Sequence, residues 1–436
     1  MSLHRREFLS LIASTSAVVM SPTVAAESDM PHVPWSRHAA LYQVNVRQFS
    51  ADGTLKAAQA DLPRLKALGV DILWLMPLQP IGKLARKGTL GSYYSIRDYT
   101  AVNPEFGTLA DARAFVAAAH ALGMKVILDW VANHTAFDHP WTREHKDWYK
   151  LDAHGEPFPV TFNAGGPNEE HWSDVTALDY ERPALRDAML AAMQFWVRET
   201  DLDGFRCDVA SLVPTSFWER VRRELDAVKP MFMLAESDAK DLHRSAFDMT
   251  YSWDLAALFH HIGQGEAGAP QLLEWARQEP HGYPASAYRM RFTANHDFNS
   301  WNGTDAELYG DAYLPLAVLT FTLPGMPLIY NGQESRLTKR LEFFEKDPIA
   351  WKTHELAPFY AKLVALKHAH PALGNGQYGG ALVPLATGND QVFAFQRVLG
   401  SDTVTVAVNV TAATQAFHVG ATGRSLPAWG WMVEPA

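Results

Sequence analysis

From Leu41 to Gly332 the chain alternates short apolar runs with segments of helical period, and that rhythm admits few folds. The runs are LYQVNVRQF (41–49), DILWLMP (71–77), KVILDWVANH (125–134), GFRCDVA (204–210), MFMLAE (231–236), DMTYSW (248–253), RMRFTANHD (289–297) and PLIYNG (327–332). Between most of them lie helical stretches, among them LKAAQADLPRLKALG (55–69), LADARAFVAAAHALG (109–123), a helix around 183–199 and another around 215–227. Strands separated by helices pair in parallel, because the helix carries the chain back across the sheet. Eight such units are the number that closes a (β/α)8 TIM barrel. A doubly wound open sheet is the alternative, but the Gly-rich phosphate fingerprint that would favour it is absent from the sequence.

Two stretches depart from the rhythm. Residues 135–171 are polar, with Pro, Gly, Asn and His, and read as a small excursion domain after the third strand. Beyond Pro371, VFAFQRVL, TVTVAVNV and LPAWGWMVE predict an all-β C-terminal domain over 371–436, a β-sandwich. The barrel is thus expected to comprise residues 35–134 and 172–370.

Composition narrows the partners. A formal net charge of −10, with no run of lysine and arginine, makes nucleic acid and acidic membrane surfaces poor partners. The apolar fraction of 47% is ample for a large core, and the mean hydropathy of −0.15 argues against a polytopic membrane protein. A single cysteine excludes an intramolecular disulfide. The first residues form a separate unit: a basic start at Arg5-Arg6, an apolar stretch from Phe8 to Val24, then Val24-Ala25-Ala26. Residues 1–26 read as an export signal of the twin-arginine type, which predicts a periplasmic or secreted protein with no stable membrane span once the signal is removed.

At the C-terminal ends of barrel strands, where catalytic groups of such folds collect, stand Asn133 and His134, Arg206 and Asp208, Glu236, then Asn295, His296 and Asp297. Any one of them could be a helix cap. Four strand ends offering such groups together are harder to explain that way. The sequence has no HExxH helix and no GxSxG elbow. Paired carboxylates without a cofactor are what glycoside cleavage requires, one to engage the anomeric carbon and one to protonate the leaving oxygen. Cys207 stands between Arg206 and Asp208, a setting that can make a reactive thiolate. Strand alternation instead turns it to the opposite face, with Phe205 and Val209, as a buried apolar residue.

DWVANH (129–134), GFRCDVA (204–210), the glutamate of FMLAE (232–236) and FTANHD (292–297) resemble, in order, the four conserved regions of the α-amylase superfamily, glycoside hydrolase family 13. GSYYSIRDYTAVNPEFGT (91–108), GVDILWLMP (69–77) and GMPLIYNGQE (325–334) are similar to further family segments. The resemblance implies Asp208 as the nucleophile, Glu236 as the general acid and base, and Asp297 as the third catalytic carboxylate. Tyr94, His134, Arg206 and His296 are implied as substrate-binding groups, with Arg206 also keeping Asp208 ionised and Asp129 anchoring the arginine. The implied activity is retaining hydrolysis of α-glucans or malto-oligosaccharides. Transglycosylation is the alternative within the family, and non-catalytic saccharide binding the alternative outside it.

The sequence also departs from the family. Ser211 and Leu212 stand where many members carry Lys-His, SADGTL (50–55) replaces an Asp-rich calcium loop, and DVTALDYERP (174–183) fits no identifiable linkage-specific pattern. No cofactor and no required metal is therefore expected, with a structural calcium near Asn133 as the alternative.

Overall fold

The computed structural model describes residues 30–162 and 169–436; the export signal expected at 1–26 lies outside them. Eight parallel strands close into a barrel: β1 (Leu41–Val44), β2 (Ile72–Leu75), β3 (Lys125–Trp130), β4 (Gly204–Cys207), β5 (Phe232–Ala235), β6 (Met249–Tyr251), β7 (Tyr288–Arg291) and β8 (Met326–Tyr330). Each lies within or beside one of the eight apolar runs, and β8 pairs with β1 to shut the sheet. All residues of β1, β2 and β4 to β8 are buried. Strands covered on both faces read as continuous apolar runs, which is why they were visible in the sequence.

The helices that return the chain begin and end where local chemistry dictates. Thr108 and Asp111 form a reciprocal cap at the start of Leu109–Ala121, the Thr108 hydroxyl accepting from the Asp111 amide at 3.2 Å while the Asp111 carboxylate accepts from the Thr108 amide at 2.8 Å. The expected helix over 55–69 is two, Leu55–Ala60 and Leu62–Leu68, because Pro63 starts a new helix. Gly69 ends the second at φ 96°, a conformation that glycine adopts without strain. Among the described residues the β5-to-β6 connection carries only the 3-10 turn Lys240–His243; every other connection carries an α-helix.

The first apolar run is only half strand. Val46–Phe49 turns helical directly after β1, and Arg47 and Gln48 are both buried there. Their place in an otherwise largely apolar run imitates a strand end, but they serve as buried polar tethers.

Gly204, which opens β4, is the tightest contact in the barrel. A Cβ added there would lie 1.9 Å from the carbonyl oxygen of Phe232 on β5. Only a residue without a side chain lets these two strands meet, and they are the strands that carry Asp208 and Glu236.

After β3 a three-stranded antiparallel sheet of His134–Ala136, Pro159–Phe162 and Glu170–Ala177 stands over one side of the mouth. At the C-terminus, Ala381–Pro384, Val392–Leu399, Asp402–Asn409 and Trp431–Pro435 form a four-stranded antiparallel sheet, accompanied by the hairpin Gln415–Val419/Thr422–Leu426. Both faces of this sheet are occupied. Phe393 and Phe395 belong to the main core beneath the barrel helices, while Val392, Ala394 and Ala407 pack with Phe417 and Leu426 of the hairpin.

Candidate active site

Strand register sets the first contact. Asp129 on β3 lies directly beside Arg206 on β4, and the Arg206 Nη1 donates to Asp129 Oδ1 at 2.8 Å and to Asp208 Oδ1 at 3.0 Å. The Nη2 of the same guanidinium makes an ion pair with Glu236 Oε2 at 2.9 Å, and its Nε donates to the Tyr251 hydroxyl at 3.2 Å. Arg206 and Asp129 are fully buried. One cation therefore serves three carboxylates.

The backbone after β4 is bent to suit. Asp208 still continues the ladder, its amide donating to the Trp130 carbonyl at 2.9 Å. The next residue, Val209, is left-handed at φ 37°, ψ 48°, an unusual conformation for a β-branched side chain. That turn aims the Val209 amide at Glu236 Oε2, 2.9 Å away. Local strain of this kind persists where surrounding contacts impose it, characteristically beside functional groups.

A second set of contacts organises the opposite wall. The Gln43 side-chain oxygen accepts from the His296 amide at 3.1 Å, which fixes the Gln43 amide orientation and sets its NH2 against His296 Nδ1 at 2.7 Å. His296 then presents Nε2–H to the Tyr94 hydroxyl at 2.7 Å and lies 3.3 Å from Asp297 Oδ2. Tyr94 in turn donates to Asp129 Oδ2 at 3.0 Å, as does the Trp74 indole at 3.1 Å. His134 joins through a hydrogen bond to the Tyr94 backbone, with Asn133 Nδ2 at 3.2 Å from its Nδ1 and Trp172 edge-on at 5.5 Å. Tyr94, His134, Arg206, Asp208, Glu236, His296 and Asp297 are thus gathered at one mouth. Gln43, Trp74 and Tyr251 were not singled out from the sequence. Each occupies a barrel strand in a continuous apolar run, and a polar or aromatic side chain facing the barrel axis was the only sequence signal available.

Burial dominates the titration. It pushes Glu236 up to about 7, against the opposing pull of Arg206 and with Asp208 and Asp297 adding to the rise. Asp208 and Asp129 rise to about 6 for the same reason, Arg206 and a hydrogen bond with Glu236 restraining Asp208. The expected depression of Asp208 by Arg206 is therefore outweighed by desolvation. Burial thus raises both Asp208 and Glu236 above the usual carboxylate range, and the cluster as a whole favours retaining a proton. Burial lowers His134 to about 3 and keeps it neutral. Burial also raises the Cys207 thiol well above its ordinary range, so the chain's one cysteine is a packed thiol and not a thiolate.

Among the described residues no group of three or more His, Cys, Asp or Glu is placed to hold a metal ion, and no helix is long and apolar enough to cross a membrane. A closed parallel barrel with paired buried carboxylates at its mouth defines a barrel protein equipped for acid–base chemistry. The α-amylase catalytic-domain profile matches residues 28–358, and the chain belongs to the α-amylase family. The chain is similar to the α-amylase MalA of Haloarcula japonica (28% identity, 88% of this chain and 57% of that protein). It is also similar to an α-1,4-glucan:maltose-1-phosphate maltosyltransferase of Rhodospirillum rubrum (27% identity, 91% of this chain and 60% of that protein). The chain thus spans somewhat more than half the length of these two relatives. Among solved structures, an α-amylase from Lactobacillus plantarum superposes with a TM-score of 0.82 at 30% identity, covering 92% of this chain and 99% of that one.

Proposed function

We propose that the chain is a retaining α-glycoside hydrolase acting on α-glucans or malto-oligosaccharides. The observation that carries this reading is the pair of carboxylates held on one guanidinium at the barrel mouth, Asp208 at 3.0 Å and Glu236 at 2.9 Å from Arg206, with burial raising both above the usual carboxylate range. Asp208 attacks the anomeric carbon while Glu236 gives its proton to the departing oxygen, so that the aglycone leaves neutral and a glycosyl ester remains on Asp208. Glu236, now ionised, takes a proton from water, which attacks the anomeric carbon and releases Asp208. Asp297, His296 and Tyr94 line the wall where the reacting sugar's hydroxyls would be held, and His134 contributes as a neutral ring. We further propose that the mature chain works outside the cytoplasm, on the strength of the Arg5-Arg6 segment.

The test is a time course on maltoheptaose with wild type and Glu236→Gln. Shorter sugars from the wild type alone support hydrolysis, with the variant down by about 10²- to 10⁴-fold and still binding sugar. Similarity to a maltosyltransferase favours one second reading, in which a sugar hydroxyl replaces water in the second step. Products longer than the substrate would establish that reading. Sugar binding by the wild type without turnover of any α-glycoside would overturn both.

A further inference from the structure

The circular strand order β1-β8-β7-β6-β5-β4-β3-β2 sets β1 diametrically opposite β5, the strand whose end carries Glu236. Over β1 the loops that follow β2 and β8 are clasped together. Leu90 donates its amide to the Phe344 carbonyl at 3.1 Å, and Thr89 donates its amide to Glu345 Oε1 at 2.8 Å and its hydroxyl to Oε2. Two consecutive buried residues after β1 hold this clasp from below. Arg47 donates to the carbonyls of Gly91 at 3.0 Å, Leu90 at 3.3 Å and Phe343 at 3.4 Å. Gln48 donates to those of Glu342 at 2.8 Å and Glu345 at 2.9 Å. In the helical turn after β7 the buried Asn299 fixes the same loop, donating to the Lys339 carbonyl at 3.1 Å and accepting from the Leu341 amide at 2.9 Å. The loop is therefore tethered at five carbonyl or amide groups by side chains that have left water, and it is a wall and not a flap.

The inner surface of that wall is aromatic. Phe343, half-buried, lies near-parallel to Tyr94 at 6.4 Å and 14°, and contacts His296 at 6.4 Å and Trp301 at 5.2 Å. Tyr94 and Phe343 form a near-parallel plate that Trp301, tilted 41° to Phe343, continues away from the carboxylates, its far end closed by Phe344.

We infer that this clasped plate ends the glycone side of the cleft, so that the enzyme removes a short product of one fixed length from the non-reducing end of its substrate. The inference rests on the hydrolase reading above. If Glu236 protonates the leaving oxygen, the leaving chain lies on the β5 side, and the sugars that precede the cleaved bond lie toward β1. There the apolar faces of one or two sugars have aromatic rings to cover them, and a longer chain meets a wall tethered from below. Phe343 is the specificity-determining residue, since it contacts both Tyr94 and Trp301.

The experiment follows maltoheptaose labelled at its reducing end, with wild type, Phe343→Ala and Glu345→Ala. Expected from the wild type is one unlabelled short sugar from the first time point, with labelled fragments shortening stepwise. Phe343→Ala lowers the preference for the terminal bond about tenfold, the order of effect of one lost apolar contact in a specificity pocket. Glu345→Ala leaves the ring in place but opens the clasp, and adds longer unlabelled products. Labelled fragments of every length from the wild type at the outset would overturn the inference while leaving the hydrolase reading intact. So would a single product length unchanged in both variants. Absence of cleavage of any α-glucan by the wild type would instead remove the hydrolase reading, and the inference with it.

Discussion

The two ends of the barrel bury charge in opposite ways. At the mouth Arg206 is surrounded by Asp129, Asp208 and Glu236, so anions outnumber the cation and a proton is retained. Beneath the barrel, where the C-terminal sheet docks, Lys367 and Arg397 are fully buried, and the bonds they make go to carbonyl oxygens. Lys367 donates to Gly325 at 3.2 Å and Leu373 at 2.6 Å, and Arg397 to Gly380 at 3.0 Å, Thr322 at 3.0 Å and Gly374 at 3.3 Å. Burial pulls Lys367 well below its ordinary range and Arg397 down to about 9. A surplus of buried anion favours keeping a proton in the cluster. A buried basic group ringed by carbonyls joins two layers of the fold instead. The location agrees with the chemistry, since barrels carry reactions at the C-terminal ends of their strands and stability at the other end.

The largest effect that would break this comparison is expected at Asp208. Asp208→Asn keeps the shape and removes the attacking anion, and activity on maltoheptaose should fall on the order of 10⁴-fold or more with unchanged thermal unfolding. Arg206→Met should cost about 3–5 kcal/mol in denaturant unfolding, since it leaves buried carboxylates without their cation. It should also move both limbs of the pH profile upward. In the wild type, kcat/KM should follow a bell with limbs near about 6 and about 7. Below the lower limb Asp208 takes up a proton and ceases to be a nucleophile. Above the upper limb Glu236 loses the proton it must donate. The two limbs belong to the carboxylate cluster as a whole. A plateau extending to pH 9 would mean that Glu236 is not the acid.

Lys367→Met probes the other end. Lys367 binds its proton less tightly in the folded chain than in the unfolded one, so it makes stability rise with pH up to the ordinary lysine value of 10.5. The variant should lose that rise, seen as a smaller gain in urea midpoint between pH 7 and 9.5, and keep wild-type turnover. The smallest effect is expected at Cys207→Ala, about 1 kcal/mol for a modest core truncation with most activity retained. Loss of activity in a folded Cys207→Ala protein would restore the thiol to the chemistry.

The barrel was legible because its strands are buried on both faces and therefore read as apolar runs. The site was legible because its charged groups interrupt the ends of those runs. Where polar residues are buried for purposes other than reaction, the sequence misleads. Arg47 and Gln48 look like the polar end of a strand, yet they are the tethers under a wall. Lys367 and Arg397 look like surface residues on a helix and a strand, yet both are enclosed. Val209 gives no signal at all, since nothing in its identity announces a left-handed backbone. Contacts between Leu90 and Phe344 or between Thr89 and Glu345 link loops far apart in the chain, and no local pattern encodes such a pairing.

The absent side chain at Gly204 has a consequence for how such an enzyme can change. It touches none of the catalytic groups and has no charge, hydrogen-bonding side chain or bulk to mark it as important. Yet every other amino acid would push apart the two strands that lead to Asp208 and Glu236. In a saturation library selected for activity, position 204 should be as invariant as the carboxylates themselves, and no change at the mouth could compensate for its loss. The spacing of the reacting groups is thus inherited from an empty space four residues upstream of Asp208, and evolution of new specificities on this chain has to work around it.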